Sequence, residues 1–232
     1  MMDQALLELL RGCDTPTVCN AIEVAQGKRG FSNFTRGTMV CSAPAEPAIV
    51  GYAVTAQLAA RAPSTEPAET VRARRMAYYR AMYDAKKPSI AVVEDLDYPD
   101  AIGAYWGEVN TTIHKAFGMS GALTNGVVRD LGDLPSGFPV IAGSVGPSHG
   151  FVHVVSLGQT VDVLGLKVSQ GDLVHADRHG AVVVPPDIIP KLADAVEKLR
   201  RSERVVLEPM RSGITTFDEF EEVWKRFESS RT

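Results

Sequence analysis

"GEVNTTIHKAFGMSGALTNGVVRDLGDL", residues 107–134, changes character several times within a short span. Its first part reads as a short helix from about 108 to 117, opened by Glu108 directly after "AYWG". A strand follows at 122–124, and "NGVVRD" continues it to 128, where charge begins abruptly. Val127 and Val128 look like the end of a buried strand, so the question is why a cation and an anion come next. Glu108 and Arg129 are separated by twenty residues. With "SIAVVED" (89–95) read as the preceding buried strand, this order puts residues 107–110 and 129–130 at the same edge of one sheet. The first backbone N–H groups of a helix lack internal partners and can hold an anion. That edge would then gather free N–H donors, the Glu108 and Asp130 carboxylates and the Arg129 guanidinium around one pocket. A short 2-oxo acid bound with a divalent cation needs such a set. Its carboxylate wants N–H donors or Arg, the cation wants carboxylate oxygens, and the developing enolate wants a positive neighbour. Spacing alone leaves a second reading open. On spacing alone Arg129-Asp130 reads first as an ordinary surface turn, a common pairing at strand ends whose ion pair is worth little.

Working outward, "AIVGYAVTAQLAA" (48–60) reads as a strand, and "RAPSTEPAE" (61–69) as a proline-containing loop leading to a helix near 68–86. In that helix Met76, Tyr79, Met82 and Tyr83 recur at helical spacing, and Tyr78, Tyr79 and Tyr83 read as packing. Downstream, "FPVIAGS" (138–144) and "FVHVVSL" (151–157) are further strands. Residues 159–186 alternate with turn residues and read as antiparallel hairpins, with Asp172 and Asp177 serving the turns. Thr15-Pro16 opens a helix whose Val18, Ala21, Ile22 and Ala25 share one face. Asp187 is placed to cap a helix carrying Leu192, Ala195, Val196 and Leu199. Thr216 to Glu219 has capping-box form before Phe220, Val223, Trp224 and Phe227. The expected whole is a single mixed α/β domain over 1–232, with a core at about 14–187 and a helical extension at about 188–232.

The 232 residues are 45% hydrophobic and 22% charged, enough to bury a substantial core. A net charge of −4 without basic runs gives no footprint for nucleic acid. No apolar run approaches a bilayer span, so no membrane association is expected. "MMDQALLELLRGCD" lacks the pattern of a signal peptide. Cys13, Cys19 and Cys41 are odd in number and lack CxxC spacing, which fits a reducing cytoplasm.

Other residues invite chemistry and are set aside. His149/His153 and His175/His179 are each four apart, but both pairs fall in strand or hairpin segments. There such residues lie about 13 Å apart, too far to share an ion. His149 can border a pocket, though a loop histidine is the simpler account. "GMSG" precedes a strand instead of following one, so it is no dinucleotide fingerprint. No cysteine has a paired histidine in a recognisable motif, which argues against a thiol nucleophile.

The stretch at 107–134, together with "GFPVIAGSVGPSHG" and "GLKVSQGDLVHADRHGAVVVPP", resembles the RraA-like family. The family includes the regulator of RNase E activity and the 4-hydroxy-4-methyl-2-oxoglutarate aldolases. The similarity continues upstream through "IVGYAVTAQ" and "DTPTVCNAIE", covering most of residues 14–187. It implies a swivelling β/β/α fold with flanking N- and C-terminal helices. It also implies homotrimers or dimers of trimers, with an active site between subunits. By the same resemblance, the backbone of Gly107, Glu108, Val109 and Asn110 holds the substrate carboxylate, and Arg129 binds the substrate. Asp130 is the direct ligand of Mg²⁺ or Mn²⁺, and Glu108 holds metal-bound water. A further acid comes from a neighbouring subunit's C-terminal helix, with Glu203 the candidate and Glu197 the runner-up. Two positions depart from the family pattern. Glu108 stands where the aldolases carry Asp, and "TNG" (124–126) replaces the more usual Asp-Gly.

The implied activity is a metal-dependent carbon–carbon lyase that cleaves a 4-hydroxy-2-oxo acid to pyruvate. Oxaloacetate decarboxylation runs through the same enolate. The competing reading is a non-catalytic protein that binds and inhibits an RNA-processing enzyme, and the acid at 108 favours the enzyme. A methyltransferase is rejected because no Gly-rich strand–loop–helix with a following acid is present to hold its cofactor.

Overall fold

The computed structural model describes residues 2–231. The helices are α1 (Gln4–Arg11), α2 (Thr15–Gln26), α3 (Ala68–Asp84), α4 (Glu108–Ala116), α5 (Leu192–Ser212) and α6 (Phe217–Arg231). The strands begin with β1 (Val40–Cys41), β2 (Ile49–Ala59), β3 (Ser89–Asp95), β4 (Ala104–Trp106), β5 (Ala122–Thr124) and β6 (Val127–Val128). They continue with β7 (Val140–Ala142), β8 (Ser144–Val145), β9 (His153–Leu157), β10 (Val161–Val163), β11 (Leu166–Val168), β12 (Leu173–Asp177) and β13 (Gly180–Val184). By internal contacts the chain forms two units. One holds the residues up to Thr15 with Asn33–Pro185, and the other holds Pro16–Ser32 with Pro186 onward.

In the first unit, β3 shows why an unbroken apolar run is needed. Its side chains alternate between faces, and both faces are covered. Ala91 and Val93 join one core cluster with Leu58, Tyr78, Met82, Trp106 and Phe138. Ile90 and Val92 join another with Val161, Leu166, Val174 and Val183, from the two hairpins. Helices therefore cover one face and β-hairpins the other, which is the β/β/α layering expected. The sheet order is β1-β7-β5-β3-β2-β12-β13, parallel from β2 through β7 and antiparallel outside. The long β2 serves two partners on one side. Its first part pairs with β12 and its last with β9, with a register shift between Gln57 and Leu58 that curls the sheet.

Four local expectations need correction. The strand read at 122–128 is two strands in two sheets: β5 lies in the large one, and β6 lies between β4 and β8 in a three-stranded parallel sheet. Strand 89–95 therefore does not share a sheet with the residues leading into Arg129. The cause is Asn125, whose side chain accepts from the Asp95 N–H at 2.6 Å and donates to the Asp95 carbonyl at 3.1 Å. These side-chain bonds end the ladder with β3. A Cβ at Gly143 would come 2.1 Å from the Asn125 carbonyl oxygen, so only glycine lets the neighbouring strand pass the break. On α3 the buried residues are Tyr78 and Met82, whereas Met76 and Tyr83 are exposed, so the apolar face is rotated from the one expected. Asp187 caps nothing, because a 3-10 turn at Ile189–Lys191 intervenes before α5.

The second unit contains most of α2 with α5 and α6, and α5 packs on α6. Thr216 Oγ1 accepts from the Glu219 N–H at 3.2 Å, which is half of the anticipated capping box. Glu219 turns to Thr215 for the other half, accepting from its N–H at 2.8 Å. Among the described residues no helix is long and apolar enough to cross a membrane.

Candidate active site

Strands β4 and β6 run side by side in parallel, Trp106 beside Val128, both buried. Their C-terminal ends consequently deliver Gly107 and Arg129 to the same place, and the Arg129 N–H donates to the Trp106 carbonyl at 2.9 Å. α4 starts at once from Glu108, and its N-cap residue, Gly107, has no side chain to cap it. Asp130 supplies the missing cap. Its Oδ2 accepts from the Glu108 N–H at 3.1 Å, a carboxylate at the positive end of a helix. Asp130 holds this position in the left-handed region, φ 56°. Side chains other than Gly, Asn and Asp seldom adopt that conformation, and it clusters at functional sites.

Arg129 Nε lies 3.5 Å from the same Asp130 oxygen, close enough for an ion pair. It is nonetheless buried without a hydrogen-bond partner. Gly107 makes this arrangement possible. A Cβ there would sit 2.5 Å from Asp130 Oδ2 and 2.8 Å from Arg129 Nε. The glycine before the acid is thus a requirement of close approach. Among the described residues the N–H groups of Val109 and Asn110 have no partner, whereas Thr111 is already bonded to the Gly107 carbonyl.

A polar layer holds the first turn of α4 from beneath. The Tyr79 hydroxyl donates to Asn110 Oδ1 at 2.8 Å, and Asn110 Nδ2 donates to the Tyr105 carbonyl at 2.8 Å. His114 Nδ1 lies 2.6 Å from the Asn110 carbonyl, which only accepts, so Nδ1 carries the proton. Nε2 then accepts from the Tyr78 hydroxyl at 2.7 Å. Burial holds the His114 pKa down at about 4, and burial pushes the Tyr78 hydroxyl far up. Both are neutral at ordinary pH.

Above this layer lies a cavity of about 720 Å³ whose lining includes Arg129, Val109, Asn110, Tyr79, Arg75 and His149. The segments 61–69 and 144–150 also contribute, through Pro63, Ser64 and Gly150. His149 and His153 both border it, each with Nδ1 turned to a backbone carbonyl, at 2.7 and 2.9 Å. His175 is fully buried between Thr15 Oγ1 and the Leu10 carbonyl, a structural role. A separate cavity of about 530 Å³ contains Glu94, Asp95 and Asp162 but no helix start. Asp95 there has its pKa raised by burial.

Gly107, Glu108, Val109, Asn110, Arg129 and Asp130 therefore come together as one cluster. Glu203 and Glu197 lie on α5 in the second unit. Glu197 is engaged by Arg200 at 3.4 Å. Among the described residues no group of three His, Cys, Asp or Glu is arranged to hold a metal. The donor set at Asp130 still fits a hard cation that keeps most of its waters. Among the described residues Oδ1 makes no hydrogen bond, and such ions use one or two carboxylates plus substrate oxygens. Tyr79 packs on the core as its helical spacing predicts and also bonds to Asn110, while Arg75, on which no sequence motif bears, lines the same cavity. The available signal was their spacing of four on one helix.

The layered β/β/α fold with this cluster at a strand end defines a class, the mixed α/β domains of the swivelling type. The chain belongs to the RraA-like family (Aldolase/RraA), whose model matches residues 15–183. It is 28% identical over 112 residues to an uncharacterised protein, MJ0644, of Methanocaldococcus jannaschii, covering 47% of this chain. The match spans 54% of that relative, about half its length. An uncharacterised protein of Pseudomonas syringae pv. tomato str. DC3000 superposes with a TM-score of 0.67 at 21% identity, covering 99% of this chain and 93% of the other. Streptomyces coelicolor RraAS2, an unusual member of the RNase ES inhibitor RraA protein family, gives 0.66 at 21% identity, covering 87% and 95%.

Proposed function

We propose that the protein is a divalent-metal-dependent lyase that cleaves a 4-hydroxy-2-oxo acid, of the 4-hydroxy-4-methyl-2-oxoglutarate type, to pyruvate. Oxaloacetate decarboxylation is the expected second activity. The observation that carries the reading is the Arg129–Asp130 pair beside the open start of α4, with Arg129, Val109 and Asn110 on the wall of a large cavity. The Val109 and Asn110 N–H groups receive the substrate carboxylate, aided by the helix end. Arg129 faces the 2-oxo oxygen. Asp130 would hold Mg²⁺ or Mn²⁺ through its free oxygen, and the ion would supply Lewis-acid polarisation of the keto group.

In cleavage the C4 hydroxyl loses its proton through water held by Glu108. The C3–C4 bond breaks, and its electron pair moves to C2–O as pyruvate enolate beside Arg129. The released proton returns to C3. Glu108 is one methylene longer than the aspartate of the known aldolases, and its exposed carboxylate has room to hold that water.

The active form in this reading is a homotrimer or dimer of trimers, with Glu203 of a neighbouring subunit completing the water shell. Two observations support that choice. Val109 and Phe151 on the cavity lining are 66% and 55% exposed, an apolar rim suited to a second subunit. Among the described residues Glu203 has no ion pair, whereas Arg200 engages Glu197. A monomer by light scattering at micromolar concentration contradicts the shared site.

The likeness to RraAS2 supports one competitor, a non-catalytic inhibitor of an RNA-processing enzyme. One experiment separates them: pyruvate release from oxaloacetate and from 4-hydroxy-4-methyl-2-oxoglutarate, with and without EDTA. Metal-dependent release favours the lyase. No release from either acid, with inhibition of the nuclease, favours the regulator.

A further inference from the structure

Two arginines line the same cavity, and only one has been given a task. Arg129 enters from the end of β6 beside the start of α4. Arg75 enters from α3, on the face that also carries Val71 and Tyr79 to the lining. Tyr79 touches Asn110 of the α4 start. Arg75 lies one helical turn, about 6 Å of rise, before Tyr79 on α3. Its side chain tilts toward the helix N-terminus, away from that contact. The cavity thus has one cation at the carboxylate-binding end and another displaced from it along the helix.

The neighbouring charges leave Arg75 uncommitted. Glu66 is the carboxylate on the lining, and Arg74 grips both its oxygens, at 2.5 and 2.7 Å. The Arg74 hydrogen bonds hold the Glu66 carboxyl below its ordinary range. Arg74 is further fixed by the Val154 carbonyl at 3.3 Å. Arg75 has no such partner among the described residues. The adjacent arginines therefore divide the work: Arg74 fastens the loop to α3, and the exposed Arg75 lines the cavity with no ion pair among the described residues.

We infer that Arg75 is the group that receives the distal carboxylate shared by the proposed substrates, and so sets the preference for a second anionic group at the far end of a four- or five-carbon 2-oxo acid. The inference rests on the lyase reading, since it needs Arg129 and the α4 start to hold the first carboxylate. A guanidinium matches a carboxylate with two parallel hydrogen bonds, which a neutral tail cannot use.

The test compares 2-oxoglutarate with 2-oxopentanoate, which share a five-carbon 2-oxo chain and differ in carrying a carboxylate or a methyl at the end. Binding of each to the full-length protein with Mg²⁺ is measured by calorimetry, for wild type and Arg75→Gln. Wild type is expected to prefer 2-oxoglutarate by about 10–100-fold, the value of one charged hydrogen-bonded contact. Arg75→Gln should reduce that preference to near parity while leaving 2-oxopentanoate affinity and the melting temperature unchanged. Raising the salt should erode the wild-type preference and not that of the variant. If wild type binds both acids equally, or the variant keeps the preference, Arg75 has no such role and the lyase reading survives. If wild type binds neither acid, the lyase reading fails and this inference fails with it.

Discussion

The Glu108 N–H donates to the Asp130 carboxylate at 3.1 Å, across 22 positions of sequence. One aspartate therefore caps a helix that its own strand does not belong to, and ties the start of α4 to the end of β6. It does so in a left-handed backbone conformation that only a few side chains tolerate.

That double duty separates two substitutions. Asp130→Asn keeps a cap oxygen and a residue that accepts the left-handed region, so its stability should stay within about 1 kcal/mol of wild type. It loses the charge that a cation needs, so lyase activity should collapse. Asp130→Ala loses cap, conformation and charge together, and should be less stable than Asn by about 1–2 kcal/mol. Urea titration of the three proteins, with activity at limiting Mg²⁺, checks the order. Wild-type turnover by the Asn variant removes Asp130 from the metal.

Gly107→Ala tests the close approach. The backbone there, φ −129°, suits any residue, so the effect comes from the added methyl meeting Asp130 and Arg129. Overpacking of this kind costs about 1–3 kcal/mol. The displaced pair should lower kcat/KM by more than the stability loss accounts for. Normal kinetics in this variant would show that the packing of the pair is irrelevant to activity.

The buried imidazole beneath α4 makes stability depend on pH. His114 has its folded pKa lowered from 6.5 to about 4 by burial. The unfolded chain thus binds the proton first as pH falls. Stability is full above about 6.5 and is lost progressively toward about 4, by on the order of 3 kcal/mol. His175, also lowered by burial, acts in the same direction. Urea midpoints at pH 7.5 and pH 5 should differ accordingly, and equal midpoints would contradict the neutral, buried imidazole.

Much of this arrangement was legible in the sequence where a period or a turn residue speaks locally. β3 and β5 stand out as apolar runs, and the two late hairpins as alternation between glycine turns. The juxtaposition of residues 107–110 with 129–130 followed from a strand–helix–strand order, although the participating strand proved to be β4. Nothing local marked that three-residue strand. The split of residues 122–128 was hidden because it depends on Asn125 bonding to Asp95, thirty positions away. The left-handed Asp130 and the task left open for Arg75 also arise from tertiary packing. Composition and periodicity carry no trace of either.

The claim that "VVRD" delivers a working cation, and not a surface turn, is tested most directly by Arg129→Lys. A turn arginine changed to lysine keeps its charge and shifts stability by about 0.5 kcal/mol or less. An arginine beside a 2-oxo acid and its enolate uses a planar fork that lysine cannot reproduce. The measurement is steady-state pyruvate production from oxaloacetate with Mg²⁺, beside a thermal melt of the same sample. The expected result is a melt within about 2 °C of wild type, with kcat/KM down by about 10²–10³-fold, the scale of a lost oxyanion donor. Unchanged kinetics in a normally folded variant would contradict it and return Arg129 to the protein surface.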